Sequence, residues 1–317
     1  MENWLVIGGA GYIGAHITRD LIRNGDKVLV LDNFSSGKKS RILGVCEYID
    51  SDCRSLVELE RVLNANQITG VIHLAANKHA RESVLDPEKY WNNNVVSMLT
   101  LMQATKGSNV KKIVLSSSCS VYGSNSNPKE SDPRSPISPY GRTKMVCEDI
   151  LQDFCAQQTI QWAILRYFNV IGCGQFLDAA DNSDECLVPV ITQKIRGSSP
   201  FTLFGNDFDT PDGTAIRDYI DVRDLANAHV TVANNMQIRP SNILVNVSTG
   251  KPTSVSTIIN TFENVSGKKL DVQIKARNHA DPAAIWSMPS QELRQFGWEP
   301  QYEIIDSITS HWINSRQ

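Results

Sequence analysis

Apolar runs of strand length alternate with stretches of helical period through the first half of the chain. The pattern predicts strands at 4–7, 27–31, 71–75, 112–116 and 162–168, with a further strand-like run at 46–50. Helices are predicted between them at 12–24, 55–66, 87–106 and 140–158. Strict alternation of this kind is the mark of a doubly wound parallel sheet with helices on both faces. The strands are apolar almost without interruption, as in KVLVL, which suits a sheet covered on both sides. After Phe168 the texture changes. Residues 172–186 are rich in Gly, Asp and Asn, and the remainder is a mosaic of short elements. The expected organisation is therefore an α/β nucleotide-binding domain at 1–170 and a smaller, irregular substrate domain at 171–317. A segment near 217–248, with the strand-like run 243–247, is expected to rejoin the first domain. The Pro-punctuated stretch 128–139 reads as a surface loop.

The first strand empties into Gly8–Gly9–Ala10–Gly11–Tyr12–Ile13–Gly14, and a helix follows. Glycines at 8, 11 and 14 fit the GxxGxxG form of a Rossmann-type dinucleotide loop. The first permits the tight turn, the second lets backbone approach a pyrophosphate, and the third allows close helix–strand packing. The exposed N–H groups and the positive helix end favour the diphosphate. Asp32 closes the second strand, 18 residues after Gly14. A carboxylate there accepts hydrogen bonds from a ribose 2′-OH and repels a 2′-phosphate, so NAD is expected rather than NADP.

Tyr140 and Lys144 form a YxxxK pair within SPYGRTK. Such a pair is common by chance, and its position gives it weight. It opens a helix after Ser138–Pro139, so the two side chains lie one turn apart on one face. It also falls between the fourth and fifth predicted strands, whose carboxyl ends line the ligand crevice of such folds. The fourth strand ends in Ser116–Ser117–Ser118–Cys119–Ser120. A phenol, an ammonium and a hydroxyl beside a nicotinamide form a proton-transfer apparatus for alcohol–ketone chemistry. A free phenol titrates near ~10, and the ammonium together with the nicotinamide charge is expected to lower that value.

Composition narrows the context. The 317 residues carry 31 basic and 34 acidic side chains, a formal net charge of −3, which argues against a broad nucleic-acid or anionic-membrane surface. No run approaches a membrane span, and the N-terminus has no signal-peptide pattern. Seven cysteines without a CxxC are expected to be reduced thiols of a cytoplasmic protein. Six histidines without an HExxH or a close pair do not predict a zinc site.

The segments GGAGYIG, LDNFSSG, LAANKHARES, NNNV, SSSCSVYG, SPYGRTK, RYFNVIG and RDYIDVRDLANAH, in this order, closely resemble the UDP-galactose 4-epimerases of the extended short-chain dehydrogenase/reductase group. That resemblance implies an NAD-dependent 4-epimerase of UDP-hexoses, with N-acetylated forms also open, that works as a homodimer through helices near 90–106 and 140–158. It implies Tyr140 as general base, Lys144 as its activator and ribose anchor, and Ser118 on the reacting sugar oxygen. Cofactor contacts map onto Tyr12, Ile13, Asp32, Asn33, Asp52, Cys53, Leu74, Ala75, Lys78, Asn94 and Phe168. Substrate contacts map onto Ser120, Asn169, Leu187, Phe204, Arg217 and Asp281. Arg217 is read as a diphosphate partner, with a structural ion pair to Asp218, Asp221 or Asp224 as the alternative.

The chain departs from the family at four places. Cys186 replaces the Asn or His that precedes Leu187, and one arginine remains in Arg277–Asn278–His279–Ala280–Asp281. The 172–186 segment is short, and Ile285 stands where narrowly specific members carry Tyr. Two other readings are open: another nucleotide-sugar enzyme of the same fold (a dehydratase, decarboxylase or uronate epimerase), and an NAD-sensing protein without catalysis.

Overall fold

The computed structural model describes every residue except Leu177, Pro240, 278–280 and 316–317. Its centre is a seven-stranded sheet. The strands are β1 (Asn3–Ile7), β2 (Lys27–Asp32), β3 (Glu47–Asp50), β4 (Gly70–His73), β5 (Lys112–Ser118), β6 (Gln161–Tyr167) and, much later in the chain, β10 (Ile243–Val247). They stand in the order β10-β6-β5-β4-β1-β2-β3, and every neighbouring pair is parallel. Strand order reverses between β1 and β4, and this opens a crevice at the carboxyl ends of the strands.

Side-chain alternation explains the unbroken apolar runs. Along β1, Trp4 and Val6 enter one apolar cluster, while Leu5 and Ile7 enter another. The first cluster takes Ile17 and Leu21 from α1 (Tyr12–Arg23) and Leu225 and Ala233 from α8 (Val222–Ile238). The second takes Leu59 from α2 (Leu56–Ala65), Leu101 from α5 (Val96–Ala104) and Leu151 from α6 (Pro139–Gln158). Both faces are thus sealed, as a parallel sheet requires.

The short helices α3 (Ala80–Leu85) and α4 (Pro87–Tyr90) precede a π-helical turn, Trp91–Val95, that leads into α5. The predicted helix 87–106 therefore begins where expected but is wound more loosely over one turn. Strand β4 ends two residues earlier than predicted. The amides of Leu74 and Ala75 both donate to the carbonyl of Ile7, at 2.9 and 3.1 Å, which curls the chain off the sheet.

Beyond β6, β7 (Asn169–Ile171) pairs with β9 (Ile216–Asp221), which also pairs with β11 (Pro252–Ser254) and β13 (Ala284–Ile285). Strand β8 (Phe201–Phe204) pairs with β12 (Val272–Lys275). A third apolar cluster gathers Ile191 of α7 (Leu187–Gly197), Phe262 of α9 (Val255–Ser266) and Trp312 of the helix Ile304–Asn314. All seven cysteines are free thiols.

Four buried histidines make the fold acid-sensitive. Burial pushes His16, His229 and His311 down to about 4 and His73 to about 3. His16 is locked neutral. Its Nδ1 donates to the Tyr12 carbonyl at 2.8 Å, so its Nε2 accepts from the Gly174 amide at 2.8 Å. The unfolded chain binds these protons from about pH 6.5 downward and the folded chain does not, so stability falls as pH drops from 6.5 to 4. Asp218 and Asp224, raised to about 6 by burial, act in the opposite sense, as do Asp20, Asp32 and Glu292. The paired carboxylates held below their usual range, such as Glu2, Asp52, Asp178 and Glu263, act with the histidines. Calorimetry is expected to give a Tm that falls steadily across that window.

Candidate active site

A cleft of about 670 Å³ runs along the carboxyl ends of the strands. At one end lies the glycine loop, where neither Gly8 nor Gly14 has room for a side chain. A Cβ on Gly14 would sit 2.2 Å from the Gly8 carbonyl oxygen, and Gly8 itself has φ +84 with the Ala75 amide nitrogen 2.8 Å from where its Cβ would be. Backbone therefore forms this end of the cleft, with the first turn of α1 opening onto it. This is the cradle that a pyrophosphate needs. Asp32, at the end of β2, is buried and lines the cleft. Its Oδ2 accepts from the Ala10 amide at 2.9 Å and its Oδ1 from the Phe34 amide at 2.8 Å. Burial outweighs these bonds and raises its pKa. The carboxylate is fixed in place with lone pairs left over, as a ribose-binding group must be.

Gly11, Tyr12, Ile13, Asn33, Cys53, Leu74, Ala75, Lys78 and Phe168 also line the cleft. Tyr12 is tied down by its hydroxyl, which donates to the Gly172 carbonyl at 2.6 Å. Asp52 and Asn94 do not line it. Asp52 is held by Arg54, whose Nη2 lies 2.6 Å from Oδ2. Asn94 is fully buried beneath the wall. It accepts from the Asn77 amide at 2.8 Å and donates to the Asn77 carbonyl at 3.1 Å and to Thr143 Oγ1 at 3.0 Å. The π-helical turn places it there, between the 76–78 loop and α6.

At the other end, Ser118, Tyr140 and Lys144 converge. Helix α6 begins at Ser138, whose Oγ accepts from the Gly141 amide at 3.1 Å, with Pro139 as first helical residue. That start places Tyr140 in the first turn, buried, with its ring edge-on to Tyr90 at 6.3 Å. Burial is the largest influence on the phenol and raises its pKa, Tyr167 adds to this, and a hydrogen bond with Ser118 lowers it. Lys144 is also buried and donates to the Ser116 carbonyl at 2.8 Å, and burial pushes its pKa down. The protein's own groups thus hold Tyr140 neutral, and the acidification expected from Lys144 does not outweigh burial among them.

Ser120, Asn169, Leu187, Arg217 and Asp281 line the same cleft, whereas Phe204 lies outside it, half exposed. Arg217 makes no ion pair among the described residues. Its Nη1 donates to the Ile216 carbonyl at 2.7 Å. Asp218 instead accepts from Thr249 and Gly250, Asp221 pairs with Arg223, and Asp224 accepts from Gln301 and Tyr302. The structural ion pair weighed for Arg217 is therefore absent, and its charge faces the cleft. Arg277 pairs with Asp207 at 3.5 Å and does not line the cleft, while 278–280 lie outside the described residues.

Cys186 lines the cleft as N-cap of α7. Near it stand two carboxylates not anticipated from sequence. Asp181 reaches Lys78 at 3.4 Å and Glu185 reaches His79 at 3.3 Å. Asp178 bonds Lys38 at 2.7 Å. Residues 178–186 thus run along the cleft, tied to Lys38 at one end and to Lys78 and His79 at the other. No motif marks these acids in the sequence, because their partners lie about a hundred residues upstream.

A glycine cradle, an acidic residue on the second strand and a buried Ser–Tyr–Lys set define an NAD-binding enzyme of the extended short-chain dehydrogenase/reductase kind. The chain belongs to the NAD dependent epimerase/dehydratase family, whose match covers residues 4–248. More narrowly, it is similar to UDP-glucose 4-epimerases. It is 35% identical to the one from Lactobacillus helveticus, over 96% of this chain and 94% of that protein. Its fold matches the Stenotrophomonas maltophila UDP-glucose-4-epimerase, a structure with bound NAD and formylated UDP-arabinopyranose, with TM-score 0.94 and 32% identity, covering 100% of this chain and 98% of that one. The UDP-Glc/GlcNAc 4-epimerase of Campylobacter jejuni matches with TM-score 0.87 and 30% identity, covering 100% and 99%.

Proposed function

We propose that this protein is an NAD-dependent 4-epimerase of UDP-hexoses. The observation that carries the reading is the convergence of Tyr140, Lys144 and Ser118 in the same cleft as the glycine cradle. When bound, NAD supplies the hydride acceptor and donor, together with a positive ring whose field favours the phenolate. Gly8, Gly11 and Gly14 leave room for its pyrophosphate, and Asp32 holds a ribose. Asn33, Cys53, Leu74, Ala75 and Phe168 form the surrounding walls. Tyr140 takes the proton from the sugar 4-OH and later returns it. Ser118 donates to the reacting oxygen, and Lys144 steadies the charge beneath the phenol.

Epimerisation requires the 4-keto sugar to present its other face, so the nucleotide must be gripped and the sugar left loose. Arg217, which makes no ion pair among the described residues, is the group for the diphosphate. Its backbone neighbour across β9 and β13 is Ile285, which packs behind the wall with Cys119 and Phe168 and is smaller than the Tyr that the family resemblance gives narrowly specific members there. That size difference supports acceptance of N-acetylated sugars. A dehydratase needs a carboxylate beside Ser118 to move a C5 proton, and Cys119 and Ser120 stand there instead. The complete proton-transfer set speaks against a catalytically silent sensor.

The working unit is a homodimer in the cytoplasm. Trp91, Val96 and Leu99 leave an apolar strip exposed on the helix leading into and along α5, which supports pairing there. Among the described residues no helix is long and apolar enough to cross a membrane.

The test is an assay of purified protein with UDP-galactose, followed by UDP-glucose formation, with UDP-N-acetylgalactosamine as a second arm. Interconversion without net oxidation is expected, and loss of water or carbon dioxide would overturn the reading. In the same assay Arg217→Ala is expected to raise KM about 30- to 1,000-fold, the equivalent of ~2–4 kcal/mol for a lost charged hydrogen-bond partner, with kcat changed less.

A further inference from the structure

Glu148 lies on α6 four residues after Lys144 and eight after Tyr140, along one stripe of the helix. It does not line the cleft, and it is fully buried. Its carboxylate accepts four hydrogen bonds. Ser117 Oγ donates to Oε1 at 2.6 Å and Arg166 Nε to Oε1 at 2.9 Å, while Arg166 Nη2 and Arg134 Nη1 donate to Oε2 at 2.5 and 3.2 Å. Ser117 and Arg166 are register partners on β5 and β6. One carboxylate thus ties α6 to both strands at the level of Ser116–Ser118. That is where Lys144 reaches the Ser116 carbonyl and where Ser118 meets Tyr140.

The charges around the site are few. Cys147 and Glu148 of α6 and His73 of β4 face Lys144. Tyr167 of β6, Tyr90 of α4 and Cys119 after β5 face Tyr140. Arg166 and Arg134 face Glu148, and Arg134 is balanced on its outer side by Asp149 at 2.6 Å. His73 is neutral, and the phenols and thiols are protonated near pH 7. Glu148 is therefore the one anion among the groups that face this pair.

We propose that Glu148 is a positioning residue for the reaction: its carboxylate seats α6 on β5 so that Ser118, Tyr140 and Lys144 converge, and it is the counter-charge of the Lys144 ammonium. The inference rests on the epimerase reading, in which Tyr140 moves the proton. Glu148→Gln keeps the shape and one acceptor oxygen and removes the charge, leaving Arg166 and Lys144 without an anion between them. In the NAD-loaded protein, the tyrosinate absorbance of Tyr140 is read as wild type minus Tyr140→Phe, with the Glu148→Gln background treated alike. Its midpoint is expected to move down by about one pH unit, because losing an anion favours the phenolate, and that is the order of effect for one charge several ångströms away in a protein interior. The pH limb of kcat follows, while KM stays within about twofold.

Arg134→Gln removes a cation from the outer, partly exposed end and shifts the same curve up. Glu148→Gln/Arg166→Met removes the pair in charge balance and returns the curve toward wild type. Curves that superimpose on wild type, or single variants that shift in one direction, overturn the proposal. Arg134→Gln decides alone if Glu148→Gln does not fold. Wild-type protein with neither turnover nor a Tyr140 signal would instead bring down the epimerase reading, and this inference with it.

Discussion

Tyr140→Phe is expected to lower kcat by roughly 10²–10⁴-fold, the range for loss of a positioned acid–base group, while the protein still binds NAD. The substitution deletes one oxygen. The ring keeps its edge-on contact with Tyr90, and the backbone amide still donates to Ser83 Oγ at 3.1 Å. Helix α6 keeps its Ser138 cap, so the fold and Lys144's bond to Ser116 remain. What is lost is the one group placed to exchange a proton with the sugar beside Ser118. The measurement pairs turnover of UDP-galactose with NAD binding by fluorescence and a melting curve. A variant within tenfold of wild-type kcat would remove Tyr140 from the chemistry. A variant that also loses NAD would mean that the phenol is structural.

Gly14→Ala is expected to weaken NAD binding by about 100-fold or more and to lower Tm by several degrees. The added Cβ would lie 2.2 Å from the Gly8 carbonyl oxygen and 2.8 Å from the Gly9 Cα, both of them backbone. Backbone cannot rotate aside as a side chain can, so α1 must move off β1. Overpacking of this kind costs about 1–3 kcal/mol, and it displaces the loop backbone that lines the cleft. A loss of ~3 kcal/mol corresponds to about 100-fold in affinity. Gly197→Ala is the control. Its nearest neighbour would be Ser199 Oγ at 3.7 Å, and it should be neutral. Titration of NAD into both proteins, with calorimetry, checks the pair, and equal affinities would exclude the glycine loop as the diphosphate site.

Much of the cleft was legible because its signals are local. A glycine triplet between a strand and a helix, an acid closing the next strand, and YxxxK after Ser–Pro are each read within one stretch of chain. Asn94 and Phe204, two of the residues named by resemblance that do not line the cleft, are kept from it by contacts made across the chain. Asn94 belongs to a cofactor-contact motif by resemblance, but a loose helical turn sinks it behind the wall, where it bridges Asn77 and Thr143. Phe204 sits on a two-stranded sheet whose partner, β12, lies about seventy residues on, and that pairing leaves it outside the cleft. Asp181 and Glu185 lack any motif, and their meaning arises only when Lys78 and His79 are brought opposite them.

From its amino-acid order alone the chain determined the parallel sheet, and it pointed to a glycine loop and a Tyr–Lys pair that the fold brings to one cleft, because alternation, glycine freedom and helical spacing act over a few residues. Burial and charge were decided only in three dimensions. That Arg217 in the cleft makes no ion pair among the described residues, how strongly a buried phenol resists ionisation, and that Glu148 is the anion set against Lys144 all depend on side chains from distant stretches of chain meeting in one low-dielectric space. Electrostatic energy there follows distance through space, which the distance along the chain does not encode.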